Sequence, residues 1–241
     1  MRRREFLSWS MVGAGAGALG LVTPGRVLAG ACAPPSFAPV YRTPPGTSIG
    51  PGGAIVVGAD LQFGGGEADP FADTYTLSVA GVRVRLRIER WAPGVLRLIP
   101  LSPVTGAGVV RGGAGELAVS LVSTPAVAPA PCHVTRARIQ RYEGSSEPYS
   151  PPTWSLQAHL RAALPQSVLG VAVAPAAAGS AYGAFEPRSG DRVQRLYQSP
   201  GRCQMDVPGA NPPAPGQRIR VACLGVNGAV SVRSNDVEVR D

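Results

Sequence analysis

The chain has 241 residues, a formal net charge of +8 and 44% hydrophobic residues, so it can pack one large domain or two small ones. Its 31 glycines and 25 prolines must lie mostly in turns, which favours an all-β architecture over a helical one. Every basic residue is arginine, a composition that looks like that of proteins from GC-rich genomes. The charge therefore does not indicate a polyanion site, and we predict no nucleic-acid partner.

The first residues resemble a twin-arginine export signal. The motif pairs two arginines with a following Phe-Leu, here Arg3, Arg4, Phe6 and Leu7. A weakly apolar, glycine-rich stretch follows it. We therefore predict an exported protein, periplasmic or extracellular, whose partner during export is the twin-arginine translocase.

The signal is predicted to end at Ala29-Gly30-Ala31, which fits the small-x-small rule of signal peptidase and leaves residues 1–31 as the cleaved segment. Cleavage lowers the net charge from +8 to +5, because the segment carries four arginines and one glutamate. Cys32 would then be the first residue, as in lipoproteins, but Ala29 stands where those proteins usually have leucine. Lipid anchoring at Cys32 is the alternative to soluble export. We expect no stable membrane span in the mature chain, because the apolar stretch is rich in glycine and ends in proline and arginine.

Residues 32–53 are predicted to be an extended Pro/Gly-rich leader, with structured chain beginning near Ile55. Residues 75–79 and 82–90 alternate apolar and polar side chains and are separated by Ala80-Gly81, which predicts a β-hairpin. Its core residues should be Val82, Val84, Leu86 and Ile88, packed against Leu77, Val79 or the facing sheet. The arginines between them should form a solvated face.

The Pro/Ala-rich residues 125–132 are predicted to be a linker between two β-sandwich domains, residues 54–124 and 133–241. Further strands are expected at 95–99, 117–122, 134–142, 154–160, 168–173, 181–185, 192–197, 218–224 and 229–239. An amphipathic helix over residues 155–164 is the alternative for one of them. Asn227-Gly228 is a strong hairpin signal between the last two strands.

This pattern resembles the tandem immunoglobulin-like or fibronectin-III-like modules of exported bacterial proteins. The resemblance is carried by the Pro-Gly-rich approach to Ile55, the hairpin over 75–90 and the closing segment 230–239 with its Ser-Asn-Asp kink. It implies an all-β fold of two small antiparallel β-sandwich (Ig-like) domains behind the cleaved signal. The buried Cys–Trp–Cys arrangement of true immunoglobulin domains is absent.

The chain has four cysteines, Cys32, Cys132, Cys203 and Cys223, and export permits disulfides. We predict a Cys203–Cys223 bridge that pins the Pro-rich excursion between them. Pairing of Cys32 with Cys132, or a free Cys132, are the alternatives for the other two.

Catalytic and metal motifs are weak. Gly46 to Gly50 matches the G-x-S-x-G elbow around Ser48, but prolines replace the strand and helix that the elbow needs. The acidic side chains Asp60, Glu67, Asp69 and Asp73 do not have the spacing of a calcium loop. Gly15 to Gly20 matches a dinucleotide fingerprint inside the signal, where no strand precedes it. We therefore predict no catalytic residue, no metal and no cofactor.

The sequence thus favours a non-catalytic envelope or extracellular module that binds protein or carbohydrate or acts as a spacer. The aromatic, Pro-rich loop with Tyr142, Tyr149 and Trp154 could contact an envelope protein or a glycan. The alternative is a small exported hydrolase or metal-binding protein that uses groups near His133 or His159.

Overall fold

The fold consists of β-strands and turns. The structure is a computed structural model, and it describes residues 35–63, 74–92, 94–142, 153–177, 183–185, 189–198 and 213–241. These ranges contain sixteen strands and no α-helix. Within them, no helix has the length and apolarity that a membrane crossing requires.

The first sandwich contains nine strands. They are β1 (Pro35–Tyr41), β2 (Ser48–Ile49), β3 (Ile55–Phe63), β4 (Thr76–Val79), β5 (Val82–Val84), β6 (Leu86–Ala92), β7 (Val95–Pro100), β8 (Gly106–Gly112) and β9 (Gly115–Leu121). One sheet has the order β1-β3-β7-β6 and the other β2-β9-β8-β4-β5. Lettered along the chain as A, A′, B, C, C′, D, E, F and G, these sheets are ABED and A′GFCC′. That order is the immunoglobulin topology.

The core of the first sandwich lies between its two sheets. Its buried side chains are Ile49, Ile55, Val57, Tyr75, Leu77, Val79, Val84, Leu96, Leu98, Val110, Leu117, Val119 and Leu121. Most of them alternate along their strands, as expected when one face of each sheet is buried.

The second sandwich contains seven strands. They are β10 (Val134–Tyr142), β11 (Thr153–Leu160), β12 (Val168–Pro175), β13 (Gly183–Phe185), β14 (Val193–Gln198), β15 (Arg218–Gly225) and β16 (Val237–Arg240). Their order is β13-β12-β15-β16-β10-β11-β14. The short β16 pairs antiparallel with β15 and parallel with β10, and so connects the two halves.

A separate core fills the second sandwich. It contains Cys132, Val134, Ala137, Leu156, Ala158, Leu160, Leu164, Val168, Val171, Val173, Ile219, Val221, Cys223 and Val239. The all-β class with two Ig-like sandwiches is therefore confirmed. The prediction that residues 125–132 separate two domains remains a prediction, although the two cores lie on either side of that segment.

The predicted hairpin forms, but its second strand is not continuous. Val79 pairs with Val82 and Leu77 with Val84, so Ala80-Gly81 is the two-residue turn. After Val84 the chain leaves the β4–β5 sheet at Arg85, and β6 joins β7 in the opposite sheet.

Two of the four residues predicted to be core in the second half of the hairpin are exposed rather than buried. Val84 is buried and Leu86 packs partly buried against the core, but Val82 is 65% exposed and Ile88 50% exposed. Among the described residues, both lie on strands at the edge of their sheets. At an edge the alternation of side chains continues, but the facing sheet does not cover every apolar side chain.

The start of the structured chain is also corrected. β1 and β2 lie in the segment predicted as a leader, and they pair with β3 and β9. The sequence analysis also missed β8, whose apolar alternation is diluted by glycine. At Gly112 the missing side chain is required, because a Cβ there would overlap the ring of Tyr75.

The later strands agree closely with the pattern. β10 spans residues 134–142 as predicted, and β11 is a strand rather than the alternative helix. The predicted last strand is shorter, since only Val237–Arg240 is regular. Before it, the Ser231 and Ser234 hydroxyls accept the backbone N–H groups of Cys223 and Val221, each at 2.8 Å. Serine side chains thus replace part of the ladder beside β15.

Candidate functional site

The two sandwiches meet in a region where hydrogen bonds join residues that are far apart in sequence. We call this region the joint, formed by the turn Gly225–Gly228 after β15, residues 50–54 before β3, residues 124–129 and Arg97 of β7. The Ala54 N–H donates to the Asn227 carbonyl at 2.9 Å, and the Asn227 side-chain amide donates to the Val127 carbonyl at 3.0 Å. The turn of the second sandwich is therefore bound both to the first sandwich and to the segment between them.

Gly228 packs closely against the first sandwich in the joint. Its φ is 71°, in the left-handed region that favours glycine. A Cβ at this position would overlap the backbone of Ala54. Glycine is required at 228 for both reasons, so the Asn-Gly pair that signals a hairpin turn also serves a contact between sandwiches.

Arg97 connects the joint to the sheet of β6 and β7. Its Nε donates to the Gly228 carbonyl at 3.0 Å, and its Nη1 donates to Glu89 Oε1 at 2.9 Å. Arg97 is 9% exposed, whereas the Glu89 side chain is 38% exposed. A buried guanidinium is costly unless it is paired and hydrogen-bonded, and Arg97 meets both conditions with one partner from each sandwich.

A cleft of about 330 Å³ opens beside the joint. Trp91 of β6 forms one wall, and its ring lies near Gly170 of β12. The other wall carries Ala172, Ala174 and residues 220–222 of the second sandwich, with Ser231 and Arg233.

The cleft is rich in guanidinium groups. Arg90, Arg220 and Arg233 line it together with Glu89. Arg220 forms a salt bridge with Asp236, and this hydrogen bond is the main cause that holds the pKa of the Asp236 carboxyl below its ordinary value. Chemically the cleft offers an indole surface and hydrogen-bond donors suited to an anionic group.

A second cavity of about 540 Å³ lies beside β10 and β16. Its charged lining is balanced, with Arg136 and Arg240 against Asp236 and Glu238. Asn235 closes one side by bonding the backbone of Val134 twice, at 3.1 and 2.9 Å. The Ser-Asn-Asp kink noted in the sequence thus attaches the last strand to β10.

The two histidines of the alternative hydrolase hypothesis are in different environments. His133 is exposed, and its carbonyl accepts the Arg161 N–H. His159 lies on β11 with Nε2 buried and without a hydrogen-bond partner among the described residues. Burial, then Arg138 and Arg136, lower the pKa of His159. A catalytic-triad histidine is oriented by a carboxylate, whereas here the charges that act on the ring are cationic.

The other motif residues are dispersed. Ser48 lies in β2, exposed and paired with Ser120, and β3 follows rather than a helix. Asp60 lies on β3, while Glu67, Asp69 and Asp73 fall outside the described residues. Within the described ranges, no three His, Cys, Asp or Glu side chains come close enough to hold a metal ion.

Most residues of the predicted export signal and of the aromatic loop lie outside the described residues. Those outside are Arg3, Arg4, Phe6, Leu7, Ala29, Ala31, Cys32 and Tyr149. Trp154 is placed on β11 next to Arg141 of β10 in the sheet register.

The disulfide differs from the prediction. Cys223 is bonded to Cys132, with their Cα atoms 6.6 Å apart, and not to Cys203, which lies outside the described residues. The predicted Cys203–Cys223 pairing is wrong because Cys223 lies on β15 with its side chain in the core, where it meets Cys132 from the segment just before β10. The sequence reasoning weighed only how the bridge would close a nearby loop.

Sequence reasoning missed Arg97 as a functional position. It is one arginine among 23, and it lies in an apolar strand that reads as ordinary core. The available signal was a charge inside an apolar run, Val95-Leu96-Arg97-Leu98-Ile99, which requires a buried partner.

No family model and no curated protein matches the chain. Among solved structures, the chain is similar to the tandem Ig repeats of Dlar, with 11% identity over 86% of this chain and 98% of that one and a TM-score of 0.27. The I-band fragment I67–I69 from titin gives 11% identity over 87% of this chain and 66% of that one, with a TM-score of 0.22. Domains 5–6 of the S-layer protein SbsC give 12% identity over 86% of this chain and 97% of that one, with a TM-score of 0.21. The Ig-like assignment rests on the strand order.

Proposed function

We propose that this chain is an exported, non-catalytic structural module of the cell envelope or extracellular space, in which two Ig-like sandwiches are held in a fixed relation. The observation that carries the proposal is the contact of Gly228 with the first sandwich. Its carbonyl is bound by the buried Arg97, and its Cα leaves no room for a side chain against Ala54. A flexible pair of domains would not need this fit.

The compartment is proposed on two grounds. The Arg3-Arg4-Glu5-Phe6-Leu7 motif indicates twin-arginine export. The buried Cys132–Cys223 disulfide suits an oxidising compartment, where such bonds persist. Since twin-arginine substrates cross the membrane folded, the bridge should form after export and reinforce an existing fold.

The joint is tested by two matched glycine variants. Gly228 and Gly216 both have positive φ, 71° and 85°, but a Cβ at Gly216 would meet nothing within 4 Å. Gly228→Ala and Gly216→Ala therefore carry the same backbone strain, about 1–2 kcal/mol, and only the first disturbs the joint. We expect calorimetry to show one unfolding transition for the wild type and for Gly216→Ala, and two for Gly228→Ala.

Backbone ¹⁵N relaxation gives a second measurement. In Gly228→Ala each sandwich should tumble faster than the whole chain, as a smaller body linked by a flexible segment does. If the two variants behave alike in both experiments, the joint does not hold the sandwiches together and the structural proposal fails.

The export route is tested by fractionating cells that express the chain. Arg3→Lys combined with Arg4→Lys should leave uncleaved precursor in the cytoplasm. Arg26→Lys, also within the signal but outside the arginine pair, should be exported normally. Normal export of the double variant would exclude the twin-arginine route.

A further inference from the structure

β6 lies at the edge of its sheet. In the order β1-β3-β7-β6 it pairs with β7 on one side, and no strand among the described residues pairs with the other side. An edge strand presents backbone N–H and C=O groups that another chain can bind.

The register shows which groups face outward. The Leu101 N–H donates to the Arg85 carbonyl at 2.9 Å, so Arg85 and Leu101 form a hydrogen-bonded pair. Such pairs alternate along an antiparallel ladder, which makes Arg87 face β7 and leaves the Ile88 N–H and C=O facing away from it. Leu86 opposite Pro100 fits this phase, since proline has no N–H to offer.

The side chains along this edge combine positive charge with exposed apolar surface. Arg85, Arg87 and Arg90 are exposed, and so is Arg83 on β5 of the opposite sheet. Ile88 is 50% exposed and Val82, on the preceding strand, is 65% exposed. Glu89 is the one carboxylate in this run, and it is engaged by Arg97 and, at 3.7 Å, by Arg87.

We propose that the outer edge of β6 binds an acidic, extended segment of a partner protein, which adds to the sheet as a further strand. Main-chain hydrogen bonds at Ile88 supply the pairing, as in other strand additions. Acidic side chains of the partner lie on the face of Arg85 and Arg87, and apolar ones lie on the face of Ile88, so the recognised segment alternates acidic and apolar residues.

Charge decides between this partner and a second copy of the chain. Two β6 edges brought together would each carry Arg85, Arg87 and Arg90 against a single carboxylate, Glu89, which Arg97 already binds, so the two copies would repel each other. The same arginines attract an acidic strand and protect the edge from self-association. Glu89 and Arg90 border the cleft beside the joint, but Arg85, Arg87 and Ile88 belong neither to the joint nor to the lining of that cleft. The inference therefore goes beyond the proposed structural role and is tested independently of it.

The test measures binding of a fluorescent, end-capped peptide of alternating Glu and Val by fluorescence anisotropy. Ile88→Pro removes the outward N–H without breaking the β6–β7 ladder. Ile88→Ala removes more apolar surface than Ile88→Pro does but keeps the N–H. We expect Ile88→Pro to bind at least about ten-fold more weakly than Ile88→Ala. A peptide with Lys in place of Glu should not bind.

The charge requirement has its own matched pair. Arg85→Glu with Arg87→Glu should weaken binding of the Glu-Val peptide at least about ten-fold, and Arg161→Glu with Arg192→Glu, at exposed positions of the second sandwich, less than about two-fold. Dextran sulfate is the competing probe. Strand addition would be overturned if dextran sulfate bound and the Glu-Val peptide did not. In that case dextran sulfate binding would depend on Arg85 and Arg87 and be unchanged by Ile88→Pro, as expected of a polyanion surface.

Folding of each variant is checked by its thermal unfolding curve. If Ile88→Pro does not fold, the peptide is instead N-methylated at every second amide, in both possible phases. One phase should lose binding and the other retain it. Equal binding of both phases, or no binding of the unmodified peptide to the wild type, would overturn the proposal.

Discussion

Cys132 and Cys223 join the segment just before β10 to the core face of β15, across a sequence separation of 91 residues. Both are buried, and the bridge spans most of the second sandwich in sequence. It closes a far longer loop than the predicted Cys203–Cys223 pair would.

The loop-entropy model predicts that removing this bridge costs about 4–5 kcal/mol of unfolding free energy, since the closed loop is long. Cys132→Ala, Cys223→Ala and the double variant should lose nearly the same stability in urea denaturation of oxidised protein. Cys203→Ala should not change the peptide map of the disulfide. Additive losses for the two single variants would contradict the pairing.

Replacing Arg97 should destabilise the joint. Arg97→Met keeps the aliphatic stem but leaves the Gly228 carbonyl without its donor, and an unsatisfied buried acceptor costs about 1–3 kcal/mol. Glu89→Gln should cost less, about 0.5–1 kcal/mol, because the carboxylate is partly exposed. A double-mutant cycle by chemical denaturation measures their coupling. No coupling would mean that the pair is not formed in solution.

Ala80 offers a stabilising substitution. It has a φ of 48° and precedes Gly81 at φ 80°, so both turn residues are left-handed, as in the type I′ turn for which Asn-Gly is favoured. Ala80→Asn should raise the unfolding free energy by about 0.5–1 kcal/mol, measured from the thermal midpoint. The control Ala118→Asn, at an exposed position of β9, should not stabilise. Destabilisation by Ala80→Asn would contradict the turn type.

His159 predicts a loss of stability in mild acid. Its pKa is lowered in the folded state by burial and by Arg138 and Arg136, so the unfolded chain takes up the proton first as pH falls. The stabilising contribution is present above the ordinary histidine pKa and is lost as pH falls through that value towards the lower folded one. Urea unfolding at about pH 7.5 and about pH 5.5 should show a larger loss for the wild type than for His159→Gln. Equal losses would place the titration elsewhere.

The pair of Asp236 and Arg220 acts in a different pH window. The pKa of Asp236 is lowered chiefly by its hydrogen bond to Arg220, so this contribution is present above the ordinary aspartate pKa and is lost only as pH falls below it. Asp236→Asn should therefore leave the difference between about pH 7.5 and about pH 5.5 unchanged. If Asp236→Asn abolished the difference in stability between the two pH values, the assignment of that difference to His159 would be contradicted.

Local sequence pattern predicted most of the strands. β10 has the predicted limits, and β7, β9, β12 and β15 differ from theirs by a few residues, because alternation and turn residues are local properties of the chain. β8 was missed where Gly106, Gly108 and Gly112 interrupt the alternation. Gly112 is explained only by Tyr75, a residue of a neighbouring part of the fold.

The hairpin over residues 75–90 shows where alternation stops being informative. Alternation predicts that side chains point to opposite faces, and they do. Alternation does not show whether a second sheet covers that face. At Val82 and Ile88 the second sheet leaves the side chain exposed. The candidate joint has the same limitation, because Asn227-Gly228 predicts a turn but not the contact of that turn with Ala54 and Arg97.

The amino-acid sequence by itself determined the all-β class and the positions of most strands and turns. These follow from period-two alternation and from glycine and proline, which act within a few residues. The tertiary structure alone decided that Cys223 pairs with Cys132, that residues 82–90 divide between two sheets and that Gly228 packs between the sandwiches. Each depends on residues distant in sequence that meet only when the sheets pack, and burial of apolar surface, which drives that packing, is non-directional and leaves no local pattern.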